Sequence, residues 1–199
     1  TEFSCARVDA ERGVIVSWDE REVAFDLLVT VPTHSGAAFV ERSGLGNELG
    51  FIPTDPNTLR ARGHDDIFVV GDATDVPASK AGSVAHFEAE TIVENLLREI
   101  AGKPAMPTFD GHANCFIETG YHKAMLLDFN YDIEPLEGSF PLPYAGPFGL
   151  LENTHMNHLG KMAFKWVYWN MLLPGRHIPL VGSRMSTRGK RMDVLASTH

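Results

Sequence analysis

Ile67-Phe68-Val69-Val70-Gly71-Asp72-Ala73-Thr74-Asp75-Val76-Pro77-Ala78-Ser79-Lys80 is the stretch on which the fold turns. Ile67 to Val70 is an unbroken apolar run, the pattern of a strand covered on both faces in a parallel sheet. Gly71-Asp72 ends it. A short loop follows, then a helix with Ser79 as its expected N-cap and Gly102 and Pro104 as its stop. Val84, Phe87, Ile92, Val93, Leu96, Leu97 and Ile100 recur at helical spacing, with Glu88, Glu90, Glu94 and Arg98 largely on the opposite side. Strand, Gly-Asp and helix make an α/β unit, and open α/β sheets bind ligands at the carboxyl ends of such strands. An Asp there accepts hydrogen bonds from ligand hydroxyls, and a helix start offers unpaired N–H groups to an electron-rich ligand. An ordinary turn whose Asp caps the helix has the same pattern, so both readings stand on these residues alone.

Upstream, Val14-Ile15-Val16 and residues 25–31 read as strands, the second apolar nearly throughout and stopped at Pro32. Residues 33–62 read as loops and turns. Gly44-Leu45-Gly46-Asn47-Glu48-Leu49-Gly50 imitates a dinucleotide fingerprint, but its last spacing is one residue too long and no buried strand precedes it, so it is no phosphate loop. Downstream, residues 115–117 and 124–129 read as strands joined at Thr119-Gly120, and residues 134–150 as a Pro- and Gly-rich connection. A second helix spans about 154–173, ended by Pro174-Gly175. From Gly182 the tail is basic and weakly structured.

The 199 residues carry 17 Lys and Arg against 26 Asp and Glu, a net charge of −9, which argues against nucleic acid as a partner. Hydrophobic residues make up 44%, enough for a sizeable core, and the sequence contains neither a transmembrane-length apolar stretch nor a secretory signal. Two cysteines, Cys5 and Cys115, form no disulfide framework. The chain starts at Thr1 and enters strand-like sequence directly, so a fragment lacking an N-terminal portion is expected.

Cys115, between Asn114 and Phe116 at a strand start, is either a small buried hydrophobe or a reactive thiol, and reactivity requires an accessible thiolate beside a positive group or cofactor. Cys5 reads as structural. His155 and His158 lack the Cys or carboxylate company of a zinc site, so no metal is expected. The helix at 154–173 is unusually rich in large apolar side chains. It is core, or it lies in a membrane interface with Trp166, Tyr168 and Trp169 at headgroup level and Lys161, Lys165 and Arg176 at the edges.

These residues resemble a known family. The stretch 67–80 is similar to the second FAD-contacting segment of the pyridine-nucleotide-disulfide oxidoreductases, and its Pro77-Ala78-Ser79-Lys80 ending to the sulfide:quinone oxidoreductase branch. Phe109-Asp110-Gly111-His112-Ala113-Asn114-Cys115-Phe116-Ile117-Glu118-Thr119-Gly120-Tyr121 resembles that branch's segment around its C-terminal redox cysteine. Asp128-Phe129-Asn130-Tyr131-Asp132-Ile133-Glu134-Pro135-Leu136-Glu137 and Tyr168-Trp169-Asn170-Met171-Leu172-Leu173 resemble it too, and the likeness extends over about residues 14–176.

The resemblance implies an α/β fold, the C-terminal part of a flavoprotein with two dinucleotide-binding domains, followed by a hydrophobic helical region. Residues 1–62 would end the middle domain, 63–140 would be the second half of the FAD domain, and 141–199 the membrane and quinone region. It implies FAD as cofactor, with Asp72 on the ribityl chain, Gly71 allowing close backbone approach, and Lys80 near the pyrimidine edge of the isoalloxazine. Cys115 would be one of two redox cysteines, alternating between a sulfur-bridged state and thiolate or persulfide. Phe116 and Phe164 would sandwich a quinone, with Lys161 near the flavin–quinone junction. The implied reaction oxidises sulfide to zero-valent sulfur and reduces a quinone, in a peripheral (monotopic) membrane protein that can form a homo-oligomer. The Gly-rich FAD fingerprint and the partner cysteine would lie upstream, so this chain alone is expected to be inactive. Rival readings are a type II NADH:quinone dehydrogenase, a flavocytochrome-type sulfide dehydrogenase and a non-catalytic truncated domain.

Overall fold

The computed structural model describes residues 3–31 and 34–192. The chain divides into two compact units, residues 1–34 and 35–199. In the first, β1 (Cys5–Asp9), β2 (Val14–Ser17) and β3 (Glu22–Ala24) form an antiparallel three-stranded sheet in that order. A fork of Arg12 onto Glu22, at 2.9 and 2.6 Å, staples its edge. The buried strand expected at 25–31 is not formed. β3 stops at Ala24, and Leu27, Val29 and Val31 stand 82%, 88% and 80% exposed, because no further strand or covering layer is supplied within this unit. Strand preference in such a run is expressed only where neighbouring side chains bury it.

The second unit opens with a six-residue helix, α1 (Ala38–Ser43), closed by Gly44 in the left-handed conformation. The glycine of the apparent fingerprint is thus a helix stop. Residues 51–76 alternate short extended pieces with turns and form isolated bridges, Ile52 with Thr74, Thr54 with Ala61 and Arg60 with Phe68. Here the expected buried parallel strand at 66–72 is corrected: Val69 is buried in a small core with Val40, Ile52 and Ala61, but Val70 is exposed and Gly71–Ala73 forms a 3-10 turn.

α2 (Gly82–Ile100) begins after Ala81, which supplies no side-chain cap, so Ser79 is not its N-cap. Its buried face also differs from the apolar stripe. Val84, Phe87, Glu88, Thr91 and Asn95 point inward, whereas Val93, Leu96, Leu97 and Ile100 are exposed. The polar inward groups have partners: Glu88 accepts the Gly71 N–H, and Asn95 joins the Thr58 carbonyl and the Met106 N–H. Val84 and Phe87 pack with Leu59, Val76, Phe109 and Ala113 in the main core.

A four-stranded sheet follows, β4 (Ala113–Gly120), β5 (Lys123–Phe129), β6 (Gly138–Leu142) and β7 (Gly146–Leu150), in the order β4-β5-β7-β6. Its pairings are antiparallel except β5 with β7, which run parallel through Leu126 and Leu150. The β4–β5 turn is Tyr121-His122, one step beyond the expected Thr119-Gly120, both residues having positive φ. The expected connection at 134–150 is in fact the β6–β7 hairpin. Pro141 faces Pro147 across it, and Gly138 lets the chain return over β6, since a Cβ there would meet the Gly189 carbonyl oxygen at 2.5 Å.

α3 (His155–Val167) is capped by Thr154, whose hydroxyl accepts the Asn157 N–H at 3.1 Å, and runs into a π turn at Tyr168–Leu172 before Pro174 and Gly175 end it. No helix among the described residues is long and apolar enough to cross a membrane.

Candidate functional site

The start of α2, β4, α3 and the returning strap after Gly175 enclose a largely apolar cleft of about 390 Å³. Ala81, Gly82, Ser83, His86 and Phe87 form one side, and Asn114, Cys115 and Phe116 the floor. Lys161 and Phe164 of α3 face them, with Tyr168, Leu172 and Leu173 below, and Ile178 and Val181 closing the strap side. Cys115, Phe116, Lys161 and Phe164, up to 49 positions apart in sequence, therefore line one space. Gly71, Asp72 and Lys80 are not among the residues lining it; they lie on the turn and loop that lead into the start of α2.

Local packing explains the approach of these elements. β4 contributes Asn114, Cys115 and Phe116 to the lining of the cleft, Cys115 being half-buried. Phe116 meets Phe148 edge to face at 5.9 Å, and Gly160 lets α3 settle over that ring, where a Cβ would come within 2.4 Å of it. Asn157, fully buried, donates to the carbonyls of Gly149 and Glu152 at 2.8 and 2.7 Å and pins the first turn of α3 to β7. The Lys161 ammonium lies 3.6 Å from Glu118, whose carboxyl is held below its usual range chiefly by the hydrogen bond from His158 at 2.8 Å, then by Lys161. On the strap side Glu90 reaches His177 at 2.8 Å and His86 at 3.4 Å, fastening the residue before Ile178 to α2.

Charge around the Gly-Asp turn is partly desolvated. Lys80 donates to the Thr74 carbonyl and hydroxyl and sits 5.2 Å over the Phe51 ring. Burial pushes its ammonium below the ordinary lysine range, against the opposing pull of Glu88, Asp72 and Asp75. Burial likewise raises the Glu88 carboxyl. Asp72 is exposed, with Gly71 at φ +68° before it.

Two groups escaped the sequence reading. Ser83 Oγ is buried at the cleft with no partner among the described residues. Beneath the floor, His112 stacks on Phe87 at 4.5 Å, donates from Nδ1 to the Gly182 carbonyl at 2.7 Å and places Nε2 2.6 Å from Asp128 Oδ1. Lys190 meets Asp128 Oδ2 at 2.7 Å, all three side chains being at most 4% exposed. These partners lie up to 78 residues apart, and nothing in their local sequence pairs them. Among the described residues no cluster of three or more His, Cys, Asp or Glu is placed to hold a metal.

No family model matches the chain. Curated relatives do: the mitochondrial sulfide:quinone oxidoreductase of Schizosaccharomyces pombe is 34% identical over 75% of this chain and 32% of its own length. That of Dictyostelium discoideum is 29% identical over 78% of this chain and 33% of its own, and that of Mus musculus 25% identical over 77% and 33%. A chain in the cryo-EM structure of the Tetrahymena thermophila mitochondrial ATP synthase superposes with a TM-score of 0.54 over 78% of this chain and 35% of that one, at 19% identity, a likeness of fold alone. Over about three quarters of its length the chain is thus similar to sulfide:quinone oxidoreductases, and it spans about a third of the length of the curated relatives it matches.

Proposed function

We propose that this chain is the C-terminal portion of an FAD-dependent flavoprotein that oxidises sulfide to zero-valent sulfur and passes the electrons to a quinone. The supporting observation is the cleft itself, in which a half-buried thiol, two phenylalanines and a lysine from separate elements share one apolar space next to an uncapped helix start. The residues present fit the flavin's ring edge: the start of a 19-residue helix without a side-chain cap and the Ser83 hydroxyl, which has no partner among the described residues, are available donors. FAD, when bound, supplies a two-electron acceptor between sulfide and quinone. Asp72, exposed at the carboxyl side of the extended segment, accepts from ribityl hydroxyls, and Gly71 lets that backbone approach closely. Lys80 and the start of α2 favour negative charge at the pyrimidine edge.

Cys115 holds the sulfur under attack, and its half-burial keeps bulk water away from a reactive sulfur species. Phe116 and Phe164 offer aromatic faces to a flat quinone ring. Lys161, held at the rim by Glu118, places a cation where a reduced ring oxygen would carry charge. Met156, Leu159, Met162, Trp166, Trp169 and Leu173 are exposed around α3 and its π turn, which supports contact with a membrane surface as a peripheral protein. Residues 1–62, 63–140 and 141–199 are read as the end of the middle domain, the second half of the FAD domain and the quinone region.

The test is made in the intact flavoprotein that carries this chain. Cys115→Ser is expected to abolish sulfide-dependent quinone reduction while FAD stays bound, as read from its visible absorbance. Retained turnover would remove the role, and bleaching of the wild-type flavin by NADH but not by sulfide would transfer the assignment to an NADH dehydrogenase.

A further inference from the structure

In a chain of net charge −9, the run from Ser183 to Lys190 concentrates positive charge, and the cleft chemistry does not use it. The strap is fixed in place. The Gly182 carbonyl is held by His112, the Met185 N–H by the Asp110 carboxylate at 3.1 Å, the Gly189 carbonyl by the Ser139 N–H at 3.2 Å, and the Arg191 N–H by the Glu137 carbonyl at 2.9 Å. So tied, it curls over β6 and surrounds a second, small pocket of about 30 Å³.

The polar groups facing that pocket are Arg184, Arg188, Lys190, Ser139 and Ser186, with His112 and Asp128 at its base. Asp128 is the one carboxylate among them, and both its oxygens are engaged, Oδ1 by His112 and Oδ2 by Lys190. Nearby acidic groups are also engaged: Asp110 with the Met185 N–H and Asn130, and Glu137 with Arg191. Arg184 and Arg188, by contrast, have no carboxylate within ion-pair distance among the described residues. Three cations against one satisfied carboxylate leave a surplus of two positive charges around a space sized for a few water-sized groups. A guanidinium presents a planar fork of N–H donors that matches the oxygens of a phosphate or sulfate group, and Arg184 and Arg188 line this pocket together with the hydroxyl-bearing Ser139 and Ser186.

We propose that the strap is a binding site for a small oxyanion of the phosphate or sulfate type, separate from the cleft but sharing Val181 with its wall. The oxyanion is either a free inorganic ion or the phosphate of a lipid headgroup. The inference stands on the strap alone and does not depend on the redox reading of Cys115.

The test follows backbone amide NMR shifts of the 199-residue chain as inorganic phosphate is added at ionic strength balanced with chloride. Saturable shifts confined to residues 182–190 and Ser139 are expected. Arg184→Gln/Arg188→Gln, both at exposed positions, is expected to weaken the binding at least tenfold with an unchanged circular dichroism spectrum. In a second arm the chain is sedimented with phosphatidylcholine vesicles with and without phosphatidic acid. Stronger binding to the phosphatidic acid vesicles, reversed by inorganic phosphate and lost in the double variant, assigns the site to a lipid phosphate; saturable phosphate binding without vesicle preference assigns it to a free ion. Non-saturating shifts in the wild type, or equal phosphate affinity in the double variant, would overturn the proposal.

Discussion

Asp128→Asn is the sharpest test of how the second unit is held together. The carboxylate sits between His112 Nε2 at 2.6 Å and the Lys190 ammonium at 2.7 Å, with all three side chains almost fully withdrawn from water. Burial alone would raise its pKa, but the His112 hydrogen bond and the Lys190 charge more than offset that and hold it below the usual 3.8. Asparagine keeps the shape and removes the charge, so the Lys190 ammonium stays buried without its counter-ion. Breaking a buried ion pair on one side costs about 3–5 kcal/mol. With a urea dependence of about 2 kcal/mol per molar for a domain of this size, the unfolding midpoint is expected to fall by roughly 2 M. Adding Lys190→Met, which removes the stranded charge, is expected to recover most of that loss. The wild type should also lose this contribution in acid: the depressed carboxyl stabilises the fold above pH 3.8, and that stabilisation disappears as pH falls through its lower native value. Asp128→Asn should show no such acid step. A midpoint shift equivalent to less than about 1 kcal/mol, or a further drop on adding Lys190→Met, would refute the reasoning.

Two further outcomes follow from other buried groups. Glu88, whose carboxyl is raised by burial, contributes its full share to stability below pH 4.5 and loses it as pH rises through the raised native value, so Glu88→Gln is expected to be more stable than wild type at pH 7 and equal to it near pH 4.5; thermal melts across that range check it, and a less stable variant at pH 7 would contradict it. Asn157→Ala removes two hydrogen bonds from a buried donor, to the Gly149 and Glu152 carbonyls, and at about 0.5–1.5 kcal/mol each should cost about 1–3 kcal/mol in denaturant unfolding, with a value near zero showing that α3 is anchored some other way.

What could be read from the residues was whatever depends on local pattern. Helix 82–100 was visible in its length and its Gly102-Pro104 stop, the β4–β5 strands in their short apolar runs, and the end of α3 in Pro174-Gly175. Which face of α2 goes inward is not visible, because Glu88 and Asn95 meet backbone partners from Gly71, Thr58 and Met106 and Thr91 meets the Thr108 hydroxyl, none of which hydrophobic periodicity registers. The runs at 25–31 and 66–72 have the composition of strands without forming them, since apolar content shows that a segment can be buried without showing that a neighbour exists to pair with it. The β6–β7 hairpin was hidden by its prolines and glycines. The candidate site divides the same way: Cys115 stands out by residue type, Phe116, Phe164 and Lys161 enter only through resemblance, and Ile178, Val181 and Ser83 join the cleft through long-range packing that carries no local signature.

The Lys190–Asp128 contact also bears on the order in which a ribosome completes this molecule. Asp128 emerges 62 residues ahead of the ammonium that neutralises it. At about 5–20 residues per second, the β4–β5 ribbon waits several seconds with a carboxylate that cannot be enclosed without its counter-charge. Formation of this ion pair is therefore a late event of synthesis, and a nascent polypeptide halted before position 190 lacks the ammonium that meets Asp128 Oδ2.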